Sequence, residues 1–190
     1  GSLKTFRYPR NLREIETRGL QFTDYVRNKS SKTFANARYC ERRLKRAGKA
    51  HFTLCEPPDT AVDIVKQLCA VSAARFGNQF AYRSQPNWNR WLAEMVRTLT
   101  DREIAQVSTL RFNETIIAAN LSFWHKHRRY FYLTYFDQAY AHFSPGKILL
   151  YKLIEQTFSD RGVFCFGTGN YRYKEEWTRS TGELKAAFVF

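Results

Sequence analysis

Apolar positions along this chain recur with two different periods, and the change between them divides it. From Ser30-Ser31 to Gly48, Ala37, Cys40, Leu44 and Ala47 fall at helical spacing, with Arg38, Arg42, Arg43, Lys45 and Arg46 on the other sides. Serine suits a helix cap and glycine a stop, so one helix is predicted there. His51 to Glu56 reads as a short strand stopped by Pro57-Pro58. Asp59 or Thr60 then caps a helix whose Ala61, Ile64, Val65, Leu68 and Val71 form a core-facing stripe. Gly77 to Pro86 reads as a loop. A third helix runs from about Asn87 to Thr100, with Trp88, Trp91, Leu92, Met95 and Leu99 on one face, a row suited to stacking on a ligand but at helical spacing read as core.

After Arg102 the pattern alternates. Glu103–Phe112, Thr115–Trp124 and Arg129–Asp137 are rich in β-branched and aromatic residues. Asn113-Glu114 and Lys126-His127-Arg128 are short and turn-suited, which predicts an antiparallel meander. A polar crossover loop leads to Ser144-Pro145-Gly146-Lys147, the start of a helix reaching about Asp160 with Ile148, Leu149, Leu153, Ile154 and Phe158 facing the sheet. Val163–Phe166 is then a short strand, long enough after its predecessor to lie parallel to it as a βαβ unit. Gly167-Thr168-Gly169 follows, then a helical turn over Tyr171–Arg179 and a last strand over Glu183–Phe190 whose partner is not evident. Residues 3–29 are polar, interrupted by Pro9, and read as partly irregular. The expected fold class is mixed α/β: a mostly antiparallel sheet, one parallel crossover and flanking helices. Residues 1–29 are read as an expression remnant (Gly1-Ser2) and a basic arm, and residues 30–190 as a single domain.

Composition adds partners rather than fold. The chain has 190 residues and a formal net charge of +14. Residues 1–50 hold fourteen Lys/Arg against four Asp/Glu, whereas residues 51–190 hold seventeen against thirteen. Such a surplus suits nucleic acid, an anionic membrane surface, an acidic carrier protein or a phosphorylated cofactor, and equally a solvated helix face. No apolar run approaches the roughly 20 residues that span a bilayer. Cys40, Cys55, Cys69 and Cys165 share no metal or disulfide spacing, so four buried, reduced thiols in a cytoplasmic protein are expected. His125 and His127 lack acidic or thiol neighbours in their turn and are read as a hairpin tip; no metal is expected.

The start of the crossover helix carries the chemistry. Helix N-termini present backbone N–H groups and a positive dipole end to anions. Ser144 supplies an N-cap, Pro145 fits the first turn, Gly146 lets a ligand approach the backbone, and Lys147 adds a full charge. The same tetrapeptide is also simply a good helix start.

The order of elements resembles the GNAT acyltransferase superfamily. More closely, the chain resembles the cellulose-biosynthesis-type acetyltransferases, relatives of the Fem-type aminoacyl transferases. Three passages carry this: Ser30-Ser31-Lys32 through Arg46; Tyr135-Phe136-Asp137 with Phe143 to Leu150; and Phe164-Cys165-Phe166-Gly167-Thr168-Gly169 with Tyr173-Lys174. The resemblance implies that the strands flanking the crossover helix splay, that the pantetheine arm of an acyl-CoA enters between them, and that its pyrophosphate sits at the helix start. Two departures stand out. The superfamily's Q/R-x-x-G-x-G/A loop is absent, and Cys165 stands where the narrower family has aspartate.

These readings imply an acyltransferase acting on an amine or hydroxyl of a small molecule, a saccharide or an envelope precursor, with acetyl-CoA or another acyl-CoA as donor. Tyr135, Phe136, Ser144, Gly146 and Lys147 are the donor-binding candidates. Asp137, His142, Tyr173 and Lys174 are the catalytic candidates, because acyl transfer needs a base for the acceptor and donors for the developing charge. Tyr135 and Tyr140 are further proton donors. Lys174 is also read as holding an acidic acceptor or a partner such as Glu175. Cys165 as an acyl-carrying nucleophile is weighed against inert packing, which a buried strand favours. The alternatives are donors carried by acyl carrier protein or by tRNA docked on the basic helix, and a degenerate GNAT binding module.

Overall fold

The computed structural model describes residues 3–28, 31–76, 85–167, 172–178 and 181–189. Thr168-Gly169, Tyr171, Gly1-Ser2 and most of the Gly77–Pro86 stretch lie outside them. The strands are Leu3–Glu16 (β1), Ala50–Thr53 (β2), Ala105–Phe112 (β3), Thr115–His125 (β4), Arg128–Phe136 (β5), Val163–Cys165 (β6) and Thr181–Val189 (β7). The helices are Phe22–Asn28 (α1), Ser31–Ala47 (α2), Pro58–Phe76 (α3), Pro86–Thr100 (α4), Pro145–Ser159 (α5) and Arg172–Trp177 (α6), with a 3₁₀ helix over Gln138–Phe143. The strands form one sheet in the order β2-β3-β4-β5-β6-β1-β7. Every pairing is antiparallel except β5 with β6.

The expected meander is β3-β4-β5. Its turns, Asn113-Glu114 and Lys126-His127, have positive φ at both residues (47° and 69°; 48° and 61°). That is the two-residue geometry whose twist matches paired strands.

The first segment differs from expectation. Residues 3–16 are not irregular but form β1, seated between β6 and β7, so the last strand does have its partner. The period-2 pattern was hidden because the register shifts between Tyr8 and Asn11, around Pro9.

Helices cover both faces. On one, Phe34, Ala37, Cys40 and Leu44 of α2 pack with the Ile148–Phe158 stripe of α5, Trp177 of α6, and Ile15, Leu110, Ile117, Phe164 and Phe166 of the sheet. On the other, Ala61, Ile64, Val65 and Leu68 of α3 and Leu92 and Val96 of α4 cover Val107, Ala119, Leu121 and Leu133. The α4 tryptophans correct the sequence reading. Trp91 is 52% exposed, because the buried row runs through Leu92 and Val96 one step around the helix. Trp88 stacks on Trp91 at 4.8 Å. Cys55 is likewise exposed, while Cys40, Cys69 and Cys165 are buried.

A parted strand pair with a helix start at its open end

β5 and β6 run side by side for only three pairs, Arg128↔Val163, Arg129↔Phe164 and Tyr130↔Cys165. β5 continues to Phe136, whereas β6 ends at Cys165 and the chain turns at Gly167 with φ +71°. The paired stretch therefore ends at Tyr130 and Cys165, with Gly167 still beside β5, where a Cβ would lie 3.9 Å from the Phe131 carbonyl oxygen. Near that point β5 also slips register by one residue against β4, with Leu121 opposite Leu133 and Ser122 opposite Phe131. Six residues of β5 separate the parting point from Phe136, about 20 Å at the rise of a strand.

The start of α5 stands at the open end. Asp137 accepts the Ala139 N–H at 2.9 Å and so caps the 3₁₀ helix. Ser144 then turns the chain in the left-handed region, φ 54° and ψ 51°. Its hydroxyl makes no cap bond, unlike the expected serine cap; its carbonyl accepts Lys147 N–H at 3.0 Å and Ile148 N–H at 3.2 Å. A left-handed serine costs about 1 kcal/mol or more, held here by the two helices it joins. Gly146 is small for a specific reason: a Cβ there would lie 3.2 Å from Phe136 Cδ1. The glycine lets α5 pack against the end of β5. Two cations flank this corner. Lys147 is half-buried, and Arg43 of α2 donates to the His142 carbonyl at 3.3 Å with its guanidinium 5.7 Å from the Phe143 ring centroid. His142 is exposed and its ring lies 4.1 Å from that of Phe143. Tyr135 is half-buried, its hydroxyl pKa raised by burial and then by the charge of Asp137.

A second group surrounds the parting point. Cys165 is fully buried, and burial first, then the Glu14 carboxylate, push its thiol up to about 11 against the lowering effect of the Gly167 backbone and Arg128. Glu14 sits directly opposite Cys165 on β1 and accepts from Arg128 Nη1 at 2.6 Å. Lys174 is only 3% exposed and its Nζ donates to the Gly167 carbonyl at 3.4 Å. Burial holds its amine below the usual lysine range; the Cys165 thiol opposes this and the Arg13 charge adds to it. Glu175, suggested by sequence as a partner of Lys174, instead pairs with Arg13 at 2.9 Å. Tyr173 is 40% exposed beside Lys174 on α6.

The candidates thus fall into two groups. Tyr135, Phe136, Asp137, His142, Ser144, Gly146 and Lys147 gather at the open end, and Tyr173 and Lys174 gather with Cys165 at the parting point. Arg13, Glu14 and Arg128 belong to the second group and were missed. The alternation of Phe6 and Tyr8 with Thr5 and Arg7 is the signal that β1 was there to be read. A cavity of about 280 Å³ lies between α2, β2 and α5, where Lys152 bridges Glu41 and Glu155 at 3.2 and 2.9 Å. Among the described residues no cluster of three or more His, Cys, Asp or Glu could hold a metal, and no helix is long and apolar enough to cross a membrane.

Known structures share this architecture. A conserved protein of unknown function from Bacteroides thetaiotaomicron superposes with a TM-score of 0.65 at 11% identity, over 97% of this chain and 61% of that one. The C-terminal domain of a putative lysylphosphatidylglycerol synthetase from Agrobacterium fabrum gives 0.61 at 14%, over 97% of this chain and 61% of that one. L-PGS from Bacillus licheniformis gives 0.53 at 14%, over 98% and 62%. The chain therefore spans about three-fifths of the length of these structures, and at such identities the likeness is one of fold. No curated protein matches the sequence. The profile of the acetyltransferase (GNAT) domain, however, matches residues 31–175, taking in α2, both parted strands and the start of α5. With most of the chain inside that match, the chain belongs to the GNAT acetyltransferase domain family.

Proposed function

We propose that this domain moves an acyl group from acyl-CoA, acetyl-CoA in the simplest case, to an amine or hydroxyl of a small molecule or saccharide. The observation that carries the reading is the parted β5–β6 pair with a helix start and two cations at its open end. The pyrophosphate is seated by the α5 N-terminus, Lys147 and Arg43, which supply dipole and charge where phosphate needs them. Tyr135 and Phe136 line the entrance, and the pantetheine arm runs between the strands toward Cys165. There Lys174, an amine that burial inclines toward its neutral form, takes the proton of the acceptor. The acceptor's nitrogen or oxygen bonds to the acyl carbon, the carbon–sulfur bond breaks, and the departing thiolate takes up the proton that the Lys174 ammonium gives back. Tyr173 is the neighbouring hydroxyl on the same helix. Asp137 and His142 serve the corner that shapes the phosphate end, about 20 Å away along β5. Cys165 is packing, since its raised pKa leaves little thiolate. A reducing, cytoplasmic setting fits the four free cysteines.

A second reading keeps the transfer and changes the donor. The exposed Arg38, Arg42, Arg43 and Arg46 of α2, with the likeness in fold to L-PGS and to a domain described as a putative lysylphosphatidylglycerol synthetase, support aminoacyl-tRNA as donor and a lipid headgroup as acceptor. Thermal-shift and calorimetric titrations with CoA, acetyl-CoA, acyl carrier protein and aminoacyl-tRNA separate the two. Stabilisation by CoA and acetyl-CoA, with thiol release when an acceptor is added, is the expected result. Stabilisation by tRNA or carrier protein alone would overturn the acyl-CoA reading.

A further inference from the structure

We infer that Arg13 is a positioning residue of the transfer: from β1 it holds α6 against the parted strands and acts on Lys174 through its like charge. The inference rests on Lys174 being the proton acceptor proposed above.

The geometry starts with where Arg13 stands. Its backbone carbonyl accepts the Phe166 N–H at 2.9 Å, which fixes it beside the residue that follows β6. Its guanidinium reaches away from the strand to Glu175 on α6 at 2.9 Å. The arginine is the more buried half of this pair, with side-chain exposures of 20% for Arg13 and 53% for Glu175. A second tie runs alongside, from the Thr178 hydroxyl to the Glu14 carbonyl at 2.7 Å. A third, from Tyr25 to the Trp177 carbonyl at 3.1 Å, holds the far end of α6. A helix of six residues has little stability of its own, so these ties decide where Lys174 points.

The electrostatics follow from the same placement. Among the described residues, Arg13 acts on Lys174, Glu14 on β1 and Arg128 on β5 act on Cys165, and Tyr173 and Glu175 flank Lys174 on α6. Glu14 is engaged by Arg128 and Glu175 by Arg13. Burial is the main influence against charge on the Lys174 amine, the Cys165 thiol favours charge, and Arg13 disfavours it. A like charge in a partly dry site makes the neighbouring ammonium harder to form. Arg13 thus fastens the helix and, from the same spot, favours the state in which Lys174 can accept a proton.

The test is the pH dependence of kcat/KM together with a ¹³C NMR titration of the Lys174 side chain, assigned with Lys174→Arg. Variants Arg13→Gln, Arg13→Lys and Glu175→Gln are compared with the wild type. In Arg13→Gln the acidic limb and the NMR titration both move to higher pH, and kcat/KM at neutral pH falls several-fold. Arg13→Lys restores the wild-type limb. Glu175→Gln, at an exposed position that should leave folding intact, moves the limb to lower pH because it removes the charge that partly offsets Arg13. If Arg13→Gln lowers stability but leaves both titrations where they were, Arg13 is only a structural tie and the inference is overturned. If Arg13→Gln does not fold, an unmoved limb in Glu175→Gln overturns it equally. A wild type that releases no thiol from acetyl-CoA sinks the proposed function instead, and the NMR titration still reads the coupling of Arg13 to Lys174.

Discussion

A methyl group placed on Gly162 probes how tightly the root of the parted strands is built. A Cβ there would lie 2.6 Å from Trp124 Cη2 and 2.7 Å from the His127 carbonyl oxygen. The indole ring can swing, but the carbonyl is tied, since it accepts the Val163 N–H at 2.8 Å at the first rung between β5 and β6. Gly162 is tied as well: its N–H donates to Thr157 O at 3.0 Å, and its carbonyl accepts the Thr17 N–H at 3.2 Å and the Thr17 hydroxyl at 2.6 Å. Relieving the contact must stretch at least one of these bonds. Overpacking of about 1–3 kcal/mol and a weakened buried hydrogen bond of about 1 kcal/mol outweigh the gain of about 0.4–1 kcal/mol from a stiffer unfolded chain. Gly162→Ala should therefore lose about 1–3.5 kcal/mol, or roughly 2–14 °C of Tm for a chain of this size. Urea unfolding and thermal melts measure the loss, and an acetyl-CoA titration reads whether the slot three residues on is pried open. Adding Trp124→Leu should recover less than half, because it frees the ring side only. A loss below about 1 kcal/mol, or full recovery in the double variant, would refute the argument that the backbone contact dominates.

Three other perturbations follow from the same geometry. Lys147→Glu reverses a charge beside the proposed phosphate seat and should weaken CoA binding by roughly ten-fold; calorimetry showing unchanged affinity removes Lys147 from the site. Burial raises the Cys165 thiol from 9.0 to about 11 and the Tyr25 hydroxyl from 10.0 to about 12. The unfolded chain gives up these protons first, so stability should fall as pH rises through 9–11 for Cys165 and 10–12 for Tyr25, by at most about 1.4 kcal/mol per unit each. Urea midpoints across that range should fall less steeply above pH 10 in Tyr25→Phe, and an identical slope would contradict the assignment. Phe34, fully buried and 4.9 Å from the Trp177 ring centroid, links α2 to α6. Phe34→Ala should cost about 3–5 kcal/mol and raise amide exchange in α6; unchanged α6 protection would show that other contacts hold the helix.

Periodicity revealed what local physics controls. The stripes of α2, α3 and α5 lie on the faces their spacing implies, except that Ala47 at the end of α2 is exposed, and the two-residue turns formed where polar residues interrupted the strands. Position across the sheet was not legible. Nothing in Arg13-Glu14 announces a strand, because Pro9 and a register shift break the alternation and charged residues fill what remains. Glu14 reaches Arg128 and Cys165 only through two strand pairings that no local pattern encodes. Gly146 shows the same limit differently. Its smallness was legible, but its cause is the ring of Phe136 ten residues earlier, brought back by the 3₁₀ turn. Trp91 was misjudged because a tryptophan one step off a helical stripe reads as part of it until the neighbouring helix is known.

The seat of β1 carries a consequence for how the protein becomes active. Arg13 and Glu175 lie 162 residues apart, and Thr178 and Glu14 lie 164 apart. Contacts of that span close very long loops, so their entropy cost falls due before their reward arrives, and they form late in folding. The helices and the β3-β4-β5 meander can assemble from nearby sequence, whereas the parting point gains its last wall only when β1 slots in beside β6. In refolding, helical circular dichroism should recover before transfer activity does, with activity tracking the slow phase. On the proposed reading, the chain thereby withholds its reaction centre from any partly folded form: completing the sheet and completing the site are the same step.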